Sequence, residues 1–232
     1  MDYRGKLIQL VEHVHGQEVQ HLNGSVLSGP EASVSGDYDH WTLKDTLAHL
    51  SEWRLIAAGK LAALAAGEMV SFHEDLDSVN RRNYAKHRHD SAAEVGRFVA
   101  ASYDSFQKKV MAFNERDLLE QTGPLGFGAP LWRYILVDGF LHPTLHLALY
   151  HFEQADFGAA FRLLAENYQV LSELDDSPET ARSYFDCEGL LDEPMERPVF
   201  LRKLQEFRAA NANRPVIREE LLELFVAVNG LD

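Results

Sequence analysis

His142 and His146 stand four residues apart in the most apolar stretch of this chain. On a helix that spacing sets two imidazoles one turn apart on one side, where both can face one ion. At 100° per residue they share a side with Ile135, Leu145 and Leu149. A neutral imidazole in an apolar layer needs hydrogen-bond partners, so two in one layer ask for an explanation. With eleven histidines in 232 residues, one such pair is close to what chance supplies, so the spacing alone decides little.

A third histidine, His49, flanks the apolar stripe of an earlier helix, with Trp53 one turn on. Three neutral nitrogens with the remaining positions open to water or substrate form the catalytic metal pattern rather than the structural one. The plain alternative also stands on spacing, that all three are core or surface histidines with satisfied hydrogen bonds. Trp53 and Tyr150 are candidates to line a pocket there, although large aromatics also pack cores without any other role. His13/His15 and His87/His89 are spaced i,i+2, which points them apart on a helix, so they read as surface residues. No Ser-His-Asp order, phosphate-cradling glycine loop or CxxC is present.

The elements that must position these residues read as helices. Leu7, Leu10, Val11 and Val14 predict an amphipathic helix over 4–22, and Gly24 to Tyr38 reads as a loop. Thr42 with Asp45 forms a capping-box-like start for a second helix, which Gly67 stops. Val70 to His89 reads as a long polar connection with one or two helical turns near Leu76–Tyr84. Ser91 and Glu94 open a third helix over about 91–114, and GPLGFGAP at 123–130 breaks the chain. A fourth helix runs from Leu131 to about Asp156, apolar on every side and therefore buried. Pro143 sits inside it, removing one backbone bond, freeing the Gly139 carbonyl and predicting a kink. Three short helices near 179–190, 199–210 and 216–228 follow. The fold class expected is all-α, with a bundle over 1–158 and a helical extension over 159–232.

Composition narrows the function. Hydrophobic and charged fractions of 46% and 25% describe a globular chain, and 232 residues suffice for a real core. A formal net charge of −14 without a Lys/Arg cluster argues against nucleic acid and against anionic lipid. The single cysteine, Cys187, excludes an intramolecular disulfide, and no stretch approaches the ~20 apolar residues of a membrane span. The amino terminus has no apolar run long enough for a signal peptide, so the cytoplasm is the expected location.

Four stretches in order carry a family resemblance. Trp41 to Trp53 (WTLKDTLAHLSEW) holds a tryptophan, a K-D-x-L-x-H-L core and a second tryptophan. Val79 to Arg88 fits N-x-x-x-Y-x-x-x-R, Pro130 to Ile135 reads PLWRYI, and His142-x-x-x-His146 follows. Over residues 4–157 this resembles the DinB-like proteins, nearest their ClbS/DfsB branch. Pro143 directly after His142 departs from the wider family's usual H-x-x-H-R-G-Q ending. The resemblance implies a four-helix bundle, often a homodimer, with zinc or nickel on His49, His142 and His146. It further implies a hydrolase or thiol transferase acting on a small reactive electrophile, in detoxification or self-resistance. The alternative class is a non-catalytic bundle that binds a small ligand or a protein, with the helical tail as a docking element.

Overall fold

The structure is a computed structural model that describes residues 3–24, 35–70, 75–124, 130–154, 156, 159–160, 162–163, 166–167 and 170–171. Among them there is no β-strand, only two isolated bridges, Asp37 with His40 and Thr122 with Pro130. The described elements are α1 (Tyr3–Asn23), α2 (Leu43–Ala65), α3 (Leu76–His87), α4 (Ala92–Val110), α5 (Glu115–Glu120) and α6 (Leu131–Leu136). A π segment (Val137–Leu141) and α7 (His142–Glu153) complete the set, so the protein is all-α. The tail helices read from sequence, Cys187 and His73 lie outside the described residues.

Both anticipated capping boxes form. Thr42 accepts from the Asp45 backbone while Asp45 reaches back to the cap, and Ser91 and Glu94 repeat the exchange for α4. Gly67 stops α2 with φ +78, a conformation that favours glycine. Its N–H donates to the Leu64 carbonyl and that of Glu68 to Ala63, the two bonds of a Schellman motif.

Two elements exceed the sequence expectation. The polar connection holds a full twelve-residue helix, α3, where one or two turns were expected. The third helix ends at Val110, and α5 follows it, opened by a further capping box of Asn114 and Asp117. The six residues of α5 are held by fully buried Leu118 and by Glu115, whose carboxylate accepts from the backbone N–H groups of Tyr3 and Arg4 at 3.0 Å each. A short helix thereby supplies the anion that the first turn of α1 lacks.

The chain divides into two compact units, Met1–Pro143 and Thr144–Asp232, and the division falls inside α7. In the first unit α2 packs most extensively on α4, with α1 against α4, α6 and the π segment, and α2 against α3. Its core is built from apolar helix faces: Leu7, Leu10 and Val14 of α1, Leu47 and Leu61 of α2, Val95, Val99 and Phe106 of α4, each at most 1% exposed. In the second unit Leu147, Ala148, Ala160, Leu163 and Leu171 are buried, and the Asn167 amide donates to the Thr144 hydroxyl at 2.8 Å.

The kink expected at Pro143 takes the form of the π segment. The His142 N–H reaches back five residues to the Val137 carbonyl, so the chain enters proline through a widened turn. The reason for a glycine there is packing. A Cβ on Gly139 would stand 2.7 Å from Val11 Cγ2 and 2.8 Å from Phe106 Cε1.

Candidate metal centre

His49 is carried by the middle of α2, seven residues after its cap, and His142 is the first residue of α7 directly after the π segment. Their Nε2 atoms lie 3.3 Å apart, with the rings edge-on at 74°. His146 follows on the same continuous helix, one turn beyond His142. One ring nitrogen from each of the three lies within 4.8 Å of the others. His49 is buried, the other two half-buried.

The donor set suits an ion. Zn–N bonds of about 2.0–2.1 Å in tetrahedral geometry place two ligand nitrogens roughly 3.3–3.4 Å apart. The His49–His142 separation already matches that. Ligation also requires neutral imidazoles. Desolvation by the surrounding protein, helped by the Arg54 cation and opposed by Glu18, brings His142 down to about 4. The ring therefore offers a lone pair at neutral pH.

Aromatic rings wall this place. The Trp41 ring lies 4.5 Å from that of His49, and the Trp53 ring 6.3 Å from His49 and 6.1 Å from His142. Trp53 is thus beside the histidines, its indole N–H held by the Asn80 amide oxygen at 2.9 Å. Tyr150, the other sequence candidate, stands two turns along α7 from His142, with its ring on His151 at 5.3 Å. Burial, then Asp156, raises its pKa.

The motif residues around His49 act as scaffold. The buried ammonium of Lys44 donates to Ser35 Oγ at 2.7 Å and to the carbonyls of His87 and Arg88 at 3.4 Å, closing the C-terminus of α3. Asp45 caps α2 and also accepts from Ser35 Oγ at 2.6 Å and the Gly36 N–H at 2.8 Å. Tyr84 donates its hydroxyl to the Gly36 carbonyl. These contacts bind α3 and the entry to α2 into one frame behind His49. A cavity in that frame, with ≈ 10 Å³ open to the centre of a water molecule, is lined by Trp41, Asp45, Ala48, His49, Asn83, Tyr84 and His87.

The surface reading of His87 is wrong. It is only 8% exposed, with Nε2 on Glu52 Oε1 and Nδ1 on Asp90 Oδ2, both at 2.6 Å, and its ring stacked on Phe98. The helix runs past Tyr84 to His87, and its last turn faces α2, which buries the ring. His15 is also not a surface residue; it stacks flat on Tyr103 at 3.9 Å and bonds Glu18 at 3.2 Å. His13 is half-buried and His89 exposed.

Sequence reasoning missed Asp138. Its carboxyl is pushed up to about 6 by burial, against a hydrogen bond from Tyr134 and the nearby Lys60 cation. It lies four residues before His142, across the π segment. The signal was available, since Asp138 is the sole acidic residue between Leu131 and Phe152.

Comparison with protein-family models, with curated proteins and with solved structures finds no match. Among the described residues, no helix is long and apolar enough to cross a membrane.

Proposed function

We propose that this protein is a metal-dependent enzyme of the DinB-like four-helix-bundle type, nearest the ClbS/DfsB branch. It hydrolyses a small reactive electrophile or transfers a thiol to it, in detoxification or self-resistance. The observation that carries this reading is the convergence of one ring nitrogen each from His49, His142 and His146. Zinc or nickel held there supplies Lewis acidity, polarising an electrophile and easing deprotonation of water or a thiol.

The chain's own residues do the rest. Three histidine ligands would leave a fourth position open to water or substrate. Trp41 and Trp53 set apolar ring surface beside His49 and His142. Burial raises the Asp138 carboxyl to about 6, against the Tyr134 hydrogen bond, so it is ionised at neutral pH.

The test is turnover. Protein loaded with zinc or nickel is offered an epoxide, an alkyl halide and an activated ester, each with and without a low-molecular-weight thiol. Turnover that disappears in His146→Ala supports the reading; no turnover in any combination contradicts it.

A second reading rests on the same 3.3 Å contact. Two neutral imidazoles sharing one Nε2–H also sit at that distance, which fits a bundle that binds a small ligand without chemistry. Metal content separates the two.

A further inference from the structure

The cavity between α2 and α3 has a polar lining that the frame around it does not fully use. Asn83 is 6% exposed, and its Nδ2 meets no hydrogen-bond acceptor in the protein. A buried amide N–H left without an acceptor is destabilising, so such a group is normally satisfied by ordered water when the protein does not satisfy it.

The other polar groups lining the cavity are mostly committed. The Asp45 oxygens accept from Ser35, Gly36 and Thr42, and both His87 nitrogens are on carboxylates. Tyr84 spends its proton on the Gly36 carbonyl but keeps an oxygen able to accept. His49 presents its Nε2 edge to His142, while its ring also borders the cavity.

The volume is decisive. About 10–15 Å³ open to water centres is one water molecule's worth, and the cavity has ≈ 10 Å³. A space that small takes one water, within a lining that includes Asn83, Tyr84 and His49. We propose that this cavity is a single-water site in which the water accepts from Asn83 and contacts Tyr84 and His49, making Asn83 a positioning residue for the His49 ring. The role in metal binding rests on the reading of His49 as a ligand; the water site does not. Histidine ligands characteristically hand their other nitrogen to a carboxylate, carbonyl or water, which fixes the tautomer and the ring's orientation.

The experiment uses the full chain, first without metal, as wild type and Asn83→Leu. Leucine is of similar volume and carries no polar atom. Wild type is expected to show a magnetisation-transfer signal between water and the Asn83 side-chain amide, and the variant a changed tautomer ratio in the His49 ring ¹⁵N shifts. The variant is also expected to melt below wild type, since a bound water leaves with its partner. A dry cavity gives the opposite sign: no water signal, unchanged His49 shifts, and a variant at least as stable because an unsatisfied amide has gone. That result overturns the proposal. Zinc affinity, read by competition with a chromophoric chelator, is expected to fall 10–100-fold in the variant. A wild type that takes no zinc contradicts the metal centre, while the water and tautomer measurements still decide the water site.

Discussion

The carboxylate of Glu18 on α1 and the guanidinium of Arg54 on α2 form an ion pair in which both side chains are 0% exposed. Arg54 also donates to Ser102 Oγ at 3.2 Å, and the Ser102 hydroxyl donates to the Val99 carbonyl at 2.9 Å, so the pair ties α1 and α2 to α4. Burial raises the Glu18 pKa, but Arg54 and His15 overcome that and leave it below its ordinary value, so the carboxylate is charged. Such a pair fixes which helices meet more than it adds to stability.

Removing one partner leaves the other charged and buried. Glu18→Gln or Arg54→Met is expected to cost about 3–5 kcal/mol, and the double change Glu18→Leu/Arg54→Met much less than the sum. Chemical denaturation of the three variants measures this; additive losses would show that the charges act independently.

His87 gives the fold a pH dependence whose sign can be worked out. Both ring nitrogens meet carboxylates, and two such bonds need two N–H donors, which only the imidazolium has. Its pKa is raised, by Glu52 first and then Asp90 against desolvation, and that of Glu52 is lowered, by His87 first. The His87 contribution is whole below its unfolded value near 6.5 and is lost as pH rises through the higher folded value. The Glu52 contribution is present above its unfolded value near 4.5 and is lost as pH falls through the lower folded one. Melting temperature against pH is expected to show His87→Gln losing most relative to wild type between those limits. The gap should close on the alkaline side; a gap independent of pH would contradict the charged latch.

Gly139 and Gly59 should respond oppositely to alanine. At Gly139 the new methyl meets Val11 and Phe106 below 3 Å, predicting a loss of about 1–3 kcal/mol by overpacking. Gly59 is an exposed residue inside α2 with nothing within 4 Å of a Cβ, predicting a gain of about 0.5–1 kcal/mol from helix propensity. Thermal or urea denaturation reads both signs.

Asp138 predicts the acid limb of any turnover. With its carboxyl at about 6, activity is expected to rise with pH through that region, and Asp138→Asn to lose that limb while keeping metal. A variant with an unchanged pH profile would remove Asp138 from the chemistry.

How far the sequence carried these features follows from the range of each interaction. Thr42 with Asp45, Ser91 with Glu94, and Gly67 act within one helical turn, so their residue types announce them. The apolar faces of α1, α2 and α4 were legible for the same reason. The burial of His87 was not, because it depends on Glu52, thirty-five residues away. The π segment was hidden too: Pro143 signals a disturbance, but not that the His142 N–H reaches back to the Val137 carbonyl. The spacing of His142 and His146 places them on one side of a helix but decides little alone, and the 3.3 Å approach of His49 bridges ninety-three residues of chain and needed the structure. The readings for the tail fall outside the described residues.

The metal content of protein purified without an affinity tag, beside a His146→Ala variant, tests the centre most directly. The account predicts about one zinc or nickel per chain in wild type and its loss in the variant, by the three-ligand stoichiometry of such sites. No metal in either protein, with stability unchanged after reconstitution with zinc and with nickel, would contradict it and leave the three histidines as pocket or core residues.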